Sequence, residues 1–467
     1  MRAFLLPAFL LHVSLTAAEP APNILFLLAD DMRPDAIAAH GRENLRTPNL
    51  DALAREGMSF TRATCSYPIC VVSRAEILTG RHGWENGVDG HSSRQFRSDL
   101  TFWPEAFRDH GYETVHIGKW HVSSRPSDRG YTRSAALFGG GGGRYWVEGQ
   151  TDWKGFPITG YRGWVFQSED GRTKFPEEGV GVTPDIDSKF ASAAVKTIEE
   201  LAGSPWMIHV NFTAPHDPLM LRSQAGQVYS EEDIQLPANY LPVHPFDHGN
   251  FDGRDEALLA WPRTRPAVLD LLRVYHSVIH EMDRCIGEIF ESLEKTGQRE
   301  NTIIIFTSDH GMGCGSHGLR GKQNQYEHTN LVPLIISGPD IPAQTSTDAM
   351  VYLRDLFPTT CELVGLPVPD SVTAESFAPV LEGKKETHHS EVFGYFTDTQ
   401  RMIRTEDNWK LIEYPHVGRQ QLFDLNSDAN ELNDLSSSSE SDVMDRSAEL
   451  SHRLEEWRKK MKDPLLN

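Results

Sequence analysis

With 467 residues, 39 % apolar and 24 % charged, the chain is neither disordered nor fibrous, and its length suits one large α/β domain with a smaller appendage. Its 45 Lys and Arg stand against 66 Asp and Glu, and the formal charge of −21 repels a nucleic-acid backbone, which argues against DNA or RNA as a partner. Five cysteines (Cys65, Cys70, Cys285, Cys314 and Cys361) are too few and too scattered for a disulfide scaffold, and the odd number leaves at least one thiol over.

The N-terminus carries an export pattern: Arg2, an apolar run from Ala3 to Leu15, then the small residues Thr16, Ala17 and Ala18 ahead of Glu19. This predicts a signal peptide over 1–18 and a periplasmic or secreted protein. No later stretch reaches the ~20 apolar residues of a membrane helix, so no membrane span is expected. Short apolar runs then recur: Asn23 to Asp31, Tyr112 to His121, Trp206 to His216, Asn301 to Gly311 and Val332 to Pro339. Continuous rather than alternating hydrophobicity marks strands covered on both faces. Between them lies helical periodicity, clearest from about Pro266 to Lys295, where Val268, Leu272, Tyr275, Ile279, Met282, Ile286, Ile289 and Leu293 recur at three- and four-residue spacing before Gly297.

Strands alternating with helices predict a doubly wound α/β sheet over a catalytic domain at 19–385, with ligands at the carboxyl ends of the strands. Gly139 to Gly143 reads as a flexible surface loop or, more sharply, as a substrate-side loop. Beyond about Lys385, short alternating strands and a helix from about Ser441 to Lys462 predict a small antiparallel subdomain over 386–467.

The strand ends carry Asp30 and Asp31, Lys119 and His121, His216, and Asp309 and His310. Adjacent carboxylates repel unless a cation joins them, and an oxygen-rich cluster suits calcium or magnesium; the competing reading of Asp30 and Asp31 is a turn or helix cap. Ser73 and Glu76 fit the first turn of a helix, so Cys70 lies at or just before a helix N-terminus, where backbone N–H groups stabilise an anion. The alternative for Cys70 is a buried structural thiol. Lys119 and His121, two apart on an extended segment, project from one face; His216 sits between prolines in PHDP; Lys322 follows the glycine-rich SHGLRG. Singly, each of these histidines and lysines has a structural or solvated reading. Together, Arg74, Lys119 and Lys322 supply three cations and His121 and His216 two proton-transfer groups, equipment suited to an anionic ester.

The motifs NILFLLADDMRPD, TPNLDALAREGMSFTRAT, CVVSRAEILTGRH, GYETVHIGKWH, APHDP, TSDHGMGCGSHGLRGKQNQYEH and VPLIISGP, in this order over more than half the chain, resemble the formylglycine-dependent type I sulfatases of the alkaline phosphatase superfamily. The resemblance implies a large mixed, mostly parallel sheet flanked by helices and a C-terminal four-stranded sheet. It implies that a formylglycine-generating or anaerobic sulfatase-maturating enzyme oxidises Cys70 to formylglycine, the nucleophile, and that Asp30, Asp31, Asp309 and His310 bind Ca2+ with it. Arg74, Lys119 and Lys322 would then face the developing charge, Asp309 take the nucleophile's proton, His216 protonate the departing alcohol and His121 release the sulfate.

Two positions depart from the family pattern. His310 stands where many relatives have asparagine, and imidazole is a poor calcium ligand by hardness, so a contact with the nucleophile or the sulfate is the second reading. Val72 occupies the Pro or Ala position of the modification signal Cys-X-Pro/Ala-Ser-Arg. The implied substrate is a sulfate ester, with carbohydrate sulfates expected from export. The rival readings are a phosphonate monoester or phosphodiester hydrolase, and a silent sulfated-glycan binder with Cys70 unmodified.

Overall fold

The structure is a computed structural model and describes residues 21–42, 44–90, 95–221 and 228–466. The predicted signal peptide lies outside the described residues. The strands are, in chain order, β1 (Asn23–Ala29), β2 (Met58–Phe60), β3 (Ala63–Thr64), β4 (Glu113–Lys119), β5 (Arg133–Gly140), β6 (Trp164–Gln167), β7 (Lys174–Val180), β8 (Trp206–Asn211), β9 (Thr302–Ser308), β10 (Leu334–Ser337), β11 (Thr345–Thr347), β12 (Val351–Tyr352), β13 (Glu391–Phe396), β14 (Gln400–Thr405), β15 (Trp409–Tyr414) and β16 (Arg419–Asp424). Ten of them form one sheet in the order β11-β2-β10-β9-β1-β8-β4-β5-β6-β7.

The centre of that sheet is parallel: β1 pairs in register with both β8 and β9, and β8 with β4. Side chains on β1 alternate between two cores, which is why its sequence is apolar throughout. Leu25, Leu27 and Ala29 pack with the helices Ile186–Glu200 and Arg265–Lys295, while Ile24, Phe26 and Leu28 pack with Trp103, Phe107, Leu356 and Phe357. The long helix starts at Arg265, with Pro266 in its first turn, where a missing N–H costs nothing. It ends at Lys295 with Gly297 just beyond at φ +68°.

The sheet is mixed, mostly parallel, as the family resemblance implies: the apolar run Val332 to Pro339 yields β10, which is antiparallel to β9. Two features differ from the reading of the sequence. The glycine run is not all loop: Gly139 and Gly140 end β5 and pair with Val165 and Trp164 of β6. Finally, β5, β6 and β7 extend the sheet by a parallel strand and a hairpin that no apolar run announced, because their exposed faces dilute the pattern.

β13 to β16 form a four-stranded antiparallel meander, covered by the helix Ser441–Met461. This unit closes over the helix that begins at Cys70. Val71, Val72, Ala75 and Leu78 share one apolar core with Phe393, Tyr395, Ile403, Leu411, Leu422, Leu450, Leu454 and Trp457. Arg401 of β14 and Asp463 beyond the last helix, both buried, pair through two hydrogen bonds of 2.6 and 2.7 Å and lock the end of the chain to the meander.

Candidate active site

Successive side chains on a strand point to opposite faces, so Asp30 and Asp31 would diverge if β1 simply continued. The chain instead turns at Asp31, which takes φ +70°, and both carboxylates reach one pit at the carboxyl edge of the sheet. A left-handed non-glycine residue costs ~1–2 kcal/mol, and two bonds offset it here: the Asp31 N–H donates to Asp309 Oδ1 at 3.2 Å, and the Tyr275 hydroxyl donates to the Asp31 carbonyl at 2.7 Å. Lys119 is aimed by a comparable device. The β4–β5 register slips between Ile117 and Lys119, and Gly118 at φ +88° lies where a Cβ would stand 2.3 Å from the Asn211 carbonyl.

Cys70 is the first residue of the helix Cys70–Thr79, and the whole helix is buried. Around its sulfur lie Lys322 Nζ at 3.3 Å and His310 Nε2 at 3.4 Å, with Asp31 Oδ1 at 3.8 Å. Burial alone would push the Cys70 thiol up; the charges of Lys119, Lys322 and His310 and a hydrogen bond with His121 bring it well below the usual thiol range. The position is built to hold an anion.

Arg74, one turn along the same helix, spans three acceptors: Asp309 Oδ2 at 2.9 Å, Asn211 Oδ1 at 3.1 Å and Asp30 Oδ1 at 3.3 Å. Asp30 also accepts from Lys119 Nζ at 2.5 Å and from the Tyr161 hydroxyl. Burial raises the Asp30 carboxyl, but Lys119, His216 and Arg74 outweigh it and hold it below the usual carboxylate range. Lys322 grips both oxygens of Asp31 at 2.7 and 2.9 Å. For Asp31 and Asp309 burial prevails: both carboxyls are pushed up, Asp309 to about 6.

The three histidines differ in state. His310 donates from Nδ1 to the Gly311 carbonyl at 3.0 Å, and its Nε2 lies 3.2 Å from Asp31 and 3.7 Å from Asp309; against the effect of burial, these carboxylates push it up to about 9. His216 hangs from Asp217, with Nδ1 2.5 Å from the Asp217 carbonyl and 3.3 Å from its Oδ1, which leaves Nε2 facing Asp31 at 3.7 Å. Burial lowers His216, yet Asp31 and Asp217 leave it raised overall. His121, interacting with Cys70, is driven down to about 4 by burial and is neutral.

All the site residues expected from the sequence therefore share one pit. Four more were missed. Asn211 holds Arg74, and the strand ends there although the apolar run continues to His216. Asp217 stands in the recognised PHDP motif and orients His216, itself fixed by Arg254 at 2.7 and 3.0 Å. Tyr161 touches Asp30 and stacks edge-on against His216 at 4.7 Å, and Trp164 meets the His121 ring at 5.2 Å; nothing in their sequence context marks either.

Cys70 belongs to two groups whose ligand atoms lie within 4.8 Å of one another, one with Asp30, Asp31 and His216 and the other with Asp309 and His310. Among the described residues a third such group, Asp355 with His388 and His389, shares no residue with these. All five cysteines are unpaired thiols.

Cations gathered about the buried Cys70 thiol, with ionisable side chains at hand, suit the cleavage of anionic esters. Residues 22–366 match the family model described as Sulfatase, and the chain belongs to the sulfatase family; it is a sulfuric ester hydrolase. A second model, described as N-sulphoglucosamine sulphohydrolase, C-terminal, matches residues 315–460. An N-acetylglucosamine-6-O-sulfatase of Bacteroides thetaiotaomicron is 27 % identical over 95 % of this chain and 87 % of its own. Among solved structures, one bound to its substrate D-glucosamine-2-N,6-O-disulfate superposes with a TM-score of 0.77 at 24 % identity, covering 95 % of this chain and 99 % of that one. A phosphonate monoester hydrolase from Silicibacter pomeroyi reaches 0.77 at 22 % identity, covering 96 % and 97 %.

Proposed function

We propose that the protein is an exported sulfatase that removes sulfate from sugars, using formylglycine formed at Cys70 and a calcium ion held by Asp30, Asp31 and Asp309. The observation that carries this reading is the setting of Cys70: first residue of a buried helix, with Lys322 and His310 within 3.4 Å and three carboxylates beside it. The sugar is suggested by the relatives that act on glucosamine sulfates.

The donor set fits calcium. Three carboxylates converge, hard oxygen ligands of the kind this ion prefers, and two of them are raised by burial in spite of the neighbouring cations, so added positive charge suits them. Asp31 would be shared with Lys322. His310, whose imidazole is a poor calcium ligand by hardness and whose Nε2 lies 3.4 Å from the Cys70 sulfur, suits the nucleophile rather than the metal. Calcium, when bound, supplies charge against the non-bridging sulfate oxygens. Formylglycine supplies a geminal diol, one hydroxyl for attack on sulfur and a second whose deprotonation releases sulfate.

The remaining work falls to side chains. Arg74, Lys119 and Lys322 hold the sulfate oxygens and the charge that grows on them. Asp309, whose carboxylate lies beside the Cys70 sulfur, accepts the proton of the attacking hydroxyl. His216 keeps a proton on Nε2 for the leaving oxygen, with Asp217 fixing Nδ1. Neutral His121 takes the proton of the second hydroxyl.

The test is mass spectrometry of the Cys70 peptide from a host with a maturating enzyme, joined to a screen against an aryl sulfate, a phosphodiester and sulfated saccharides. The expected peptide has exchanged sulfur and two hydrogens for one oxygen, and sulfate esters are the best substrates. An unmodified peptide in inactive protein would leave the sulfated-glycan binder. Faster phosphodiester cleavage would favour the second reading, a phosphonate monoester or phosphodiester hydrolase, which shares the fold and needs the same cations.

A further inference from the structure

The stretch from Gly141 to Gly163, between β5 and β6, is not accounted for by the chemistry above, yet it delivers Tyr161 and Trp164 to the pit. We propose that this segment, centred on Trp146 and Arg162, seats the sugar residue next to the one that carries the scissile sulfate, in an anionic saccharide. The proposal rests on the sulfatase reading and adds to it the part of the substrate that the pit does not hold.

The segment is built around a ring that faces water. Trp146 is 53 % exposed, and the only other exposed Trp or Phe among the described residues, Phe156, lies in the same stretch. At the mouth of a site an indole offers a flat apolar face to the C–H groups of a pyranose. The ring is seated, not adrift. Gly163 takes φ +75°, and a Cβ there would lie 2.5 Å from Trp146 Cδ1, so the indole rests directly on the backbone one residue before Trp164. Gly141 makes room in the same way for Tyr145, and its N–H donates to the Gly163 carbonyl at 2.9 Å. The glycine run thus lets two aromatic side chains lie against backbone at the rim of the pit.

Charge gives the sign of the occupant. The Arg162 guanidinium lies 4.1 Å from the Trp146 ring centre, and that of Arg144 4.7 Å from Tyr145. Acidic residues outnumber basic ones by 66 to 45 in this chain, yet neither arginine pairs with a carboxylate among the described residues. Two exposed guanidiniums lying over aromatic rings, with their N–H edges free of carboxylates, suit the carboxylate of a uronate or a second sulfate. Arg162 also follows Tyr161, whose hydroxyl bonds Asp30, so a saccharide whose sulfate lies in the pit runs next over Arg162 and Trp146.

The test uses the full chain carrying Cys70→Ala, which binds without turnover, titrated calorimetrically with D-glucosamine-2-N,6-O-disulfate alone and as a disaccharide with a uronate. The disaccharide is expected to bind about tenfold more tightly. Trp146→Ala or Arg162→Gln is expected to erase that ratio, and Trp146→Phe to keep most of it. Thermal melts verify that each variant folds. An unchanged ratio in both variants, or a disaccharide bound no better than the monosaccharide, overturns the proposal. In parallel, the matured enzyme is assayed on an aryl sulfate. Aryl sulfate cleavage without a disaccharide preference sinks the sugar seat alone, whereas a disaccharide preference without aryl sulfate cleavage sinks the sulfatase chemistry alone.

Discussion

Replacing His216 separates its role as an acid from its role as a packed ring. Its Nδ1 is committed to Asp217, so only Nε2 can meet the leaving oxygen, and no second histidine is placed to substitute: His310 faces position 70 and His121 is neutral. A positioned general acid contributes ~10²–10⁴ in rate, or about 3–5 kcal/mol at 1.36 kcal/mol per decade. That contribution is needed only when the departing alkoxide is basic. His216→Gln, which fills the space beside Tyr161 without a titratable group, should therefore lose less than about tenfold in kcat/KM on 4-nitrophenyl sulfate but ~10²–10⁴ on a sugar sulfate. The assay is a plot of log kcat/KM against leaving-group pKa for wild type and variant at equal formylglycine content. A steeper slope for the variant is the expected result. Parallel lines would show that His216 holds the site together without donating a proton, and the assignment would fall.

Three further outcomes follow from the same structure. Val72 is fully buried in the core shared with the C-terminal meander, so Val72→Ala should cost ~1–3 kcal/mol of stability while raising the formylglycine fraction; calorimetry and peptide mass spectrometry read the two, and an unchanged fraction would clear Val72 of limiting maturation. Chelation of the purified enzyme should abolish turnover and lower Tm, with calcium at a hundredfold above its Kd restoring about 2.7 kcal/mol; turnover that survives exhaustive chelation would remove the metal from the site. Glu431, buried against Lys410 and facing Glu327 and His317, has its carboxyl pushed up to about 7 by burial. The folded state then binds the proton more tightly than the unfolded chain, so stability falls as pH rises from the ordinary glutamate range to about 7. Glu431→Gln should flatten the fall of Tm over that interval, and an unchanged slope would assign the dependence to other groups.

Much of the pit was legible because parallel strands announce both themselves and their carboxyl ends. Asp30, Asp31, Lys119, Asp309 and His310 all terminate apolar runs that are strands, and the rule that ligands gather there needs no further information. The rule erred where burial outlasts the strand: Phe212 and Ala214 are buried after β8 has ended, which hid Asn211. Tyr161 and Trp164 were invisible for a different reason. Their segment is half exposed and glycine-rich, so it lacks period, and only the paired strands β5 and β6 bring it over the pit. The left-handed Asp31 could not be read at all, since its conformation is imposed by Asp309 and Tyr275 from far along the chain.

The burial of the Cys70 helix beneath the C-terminal meander also sets an order in time. Once β13 to β16 have closed over Val71, Val72 and Ala75, no second protein can grasp position 70 in extended form. The closing strands are made well after position 70: at ~5–20 residues per second, roughly 320 residues separate Cys70 from β13, a window of roughly 16 to 64 s. The oxidation proposed for Cys70 therefore competes with a clock set by chain growth. A molecule that folds ahead of its maturating partner is sealed with its thiol intact, so the active fraction of a preparation records how that race was run.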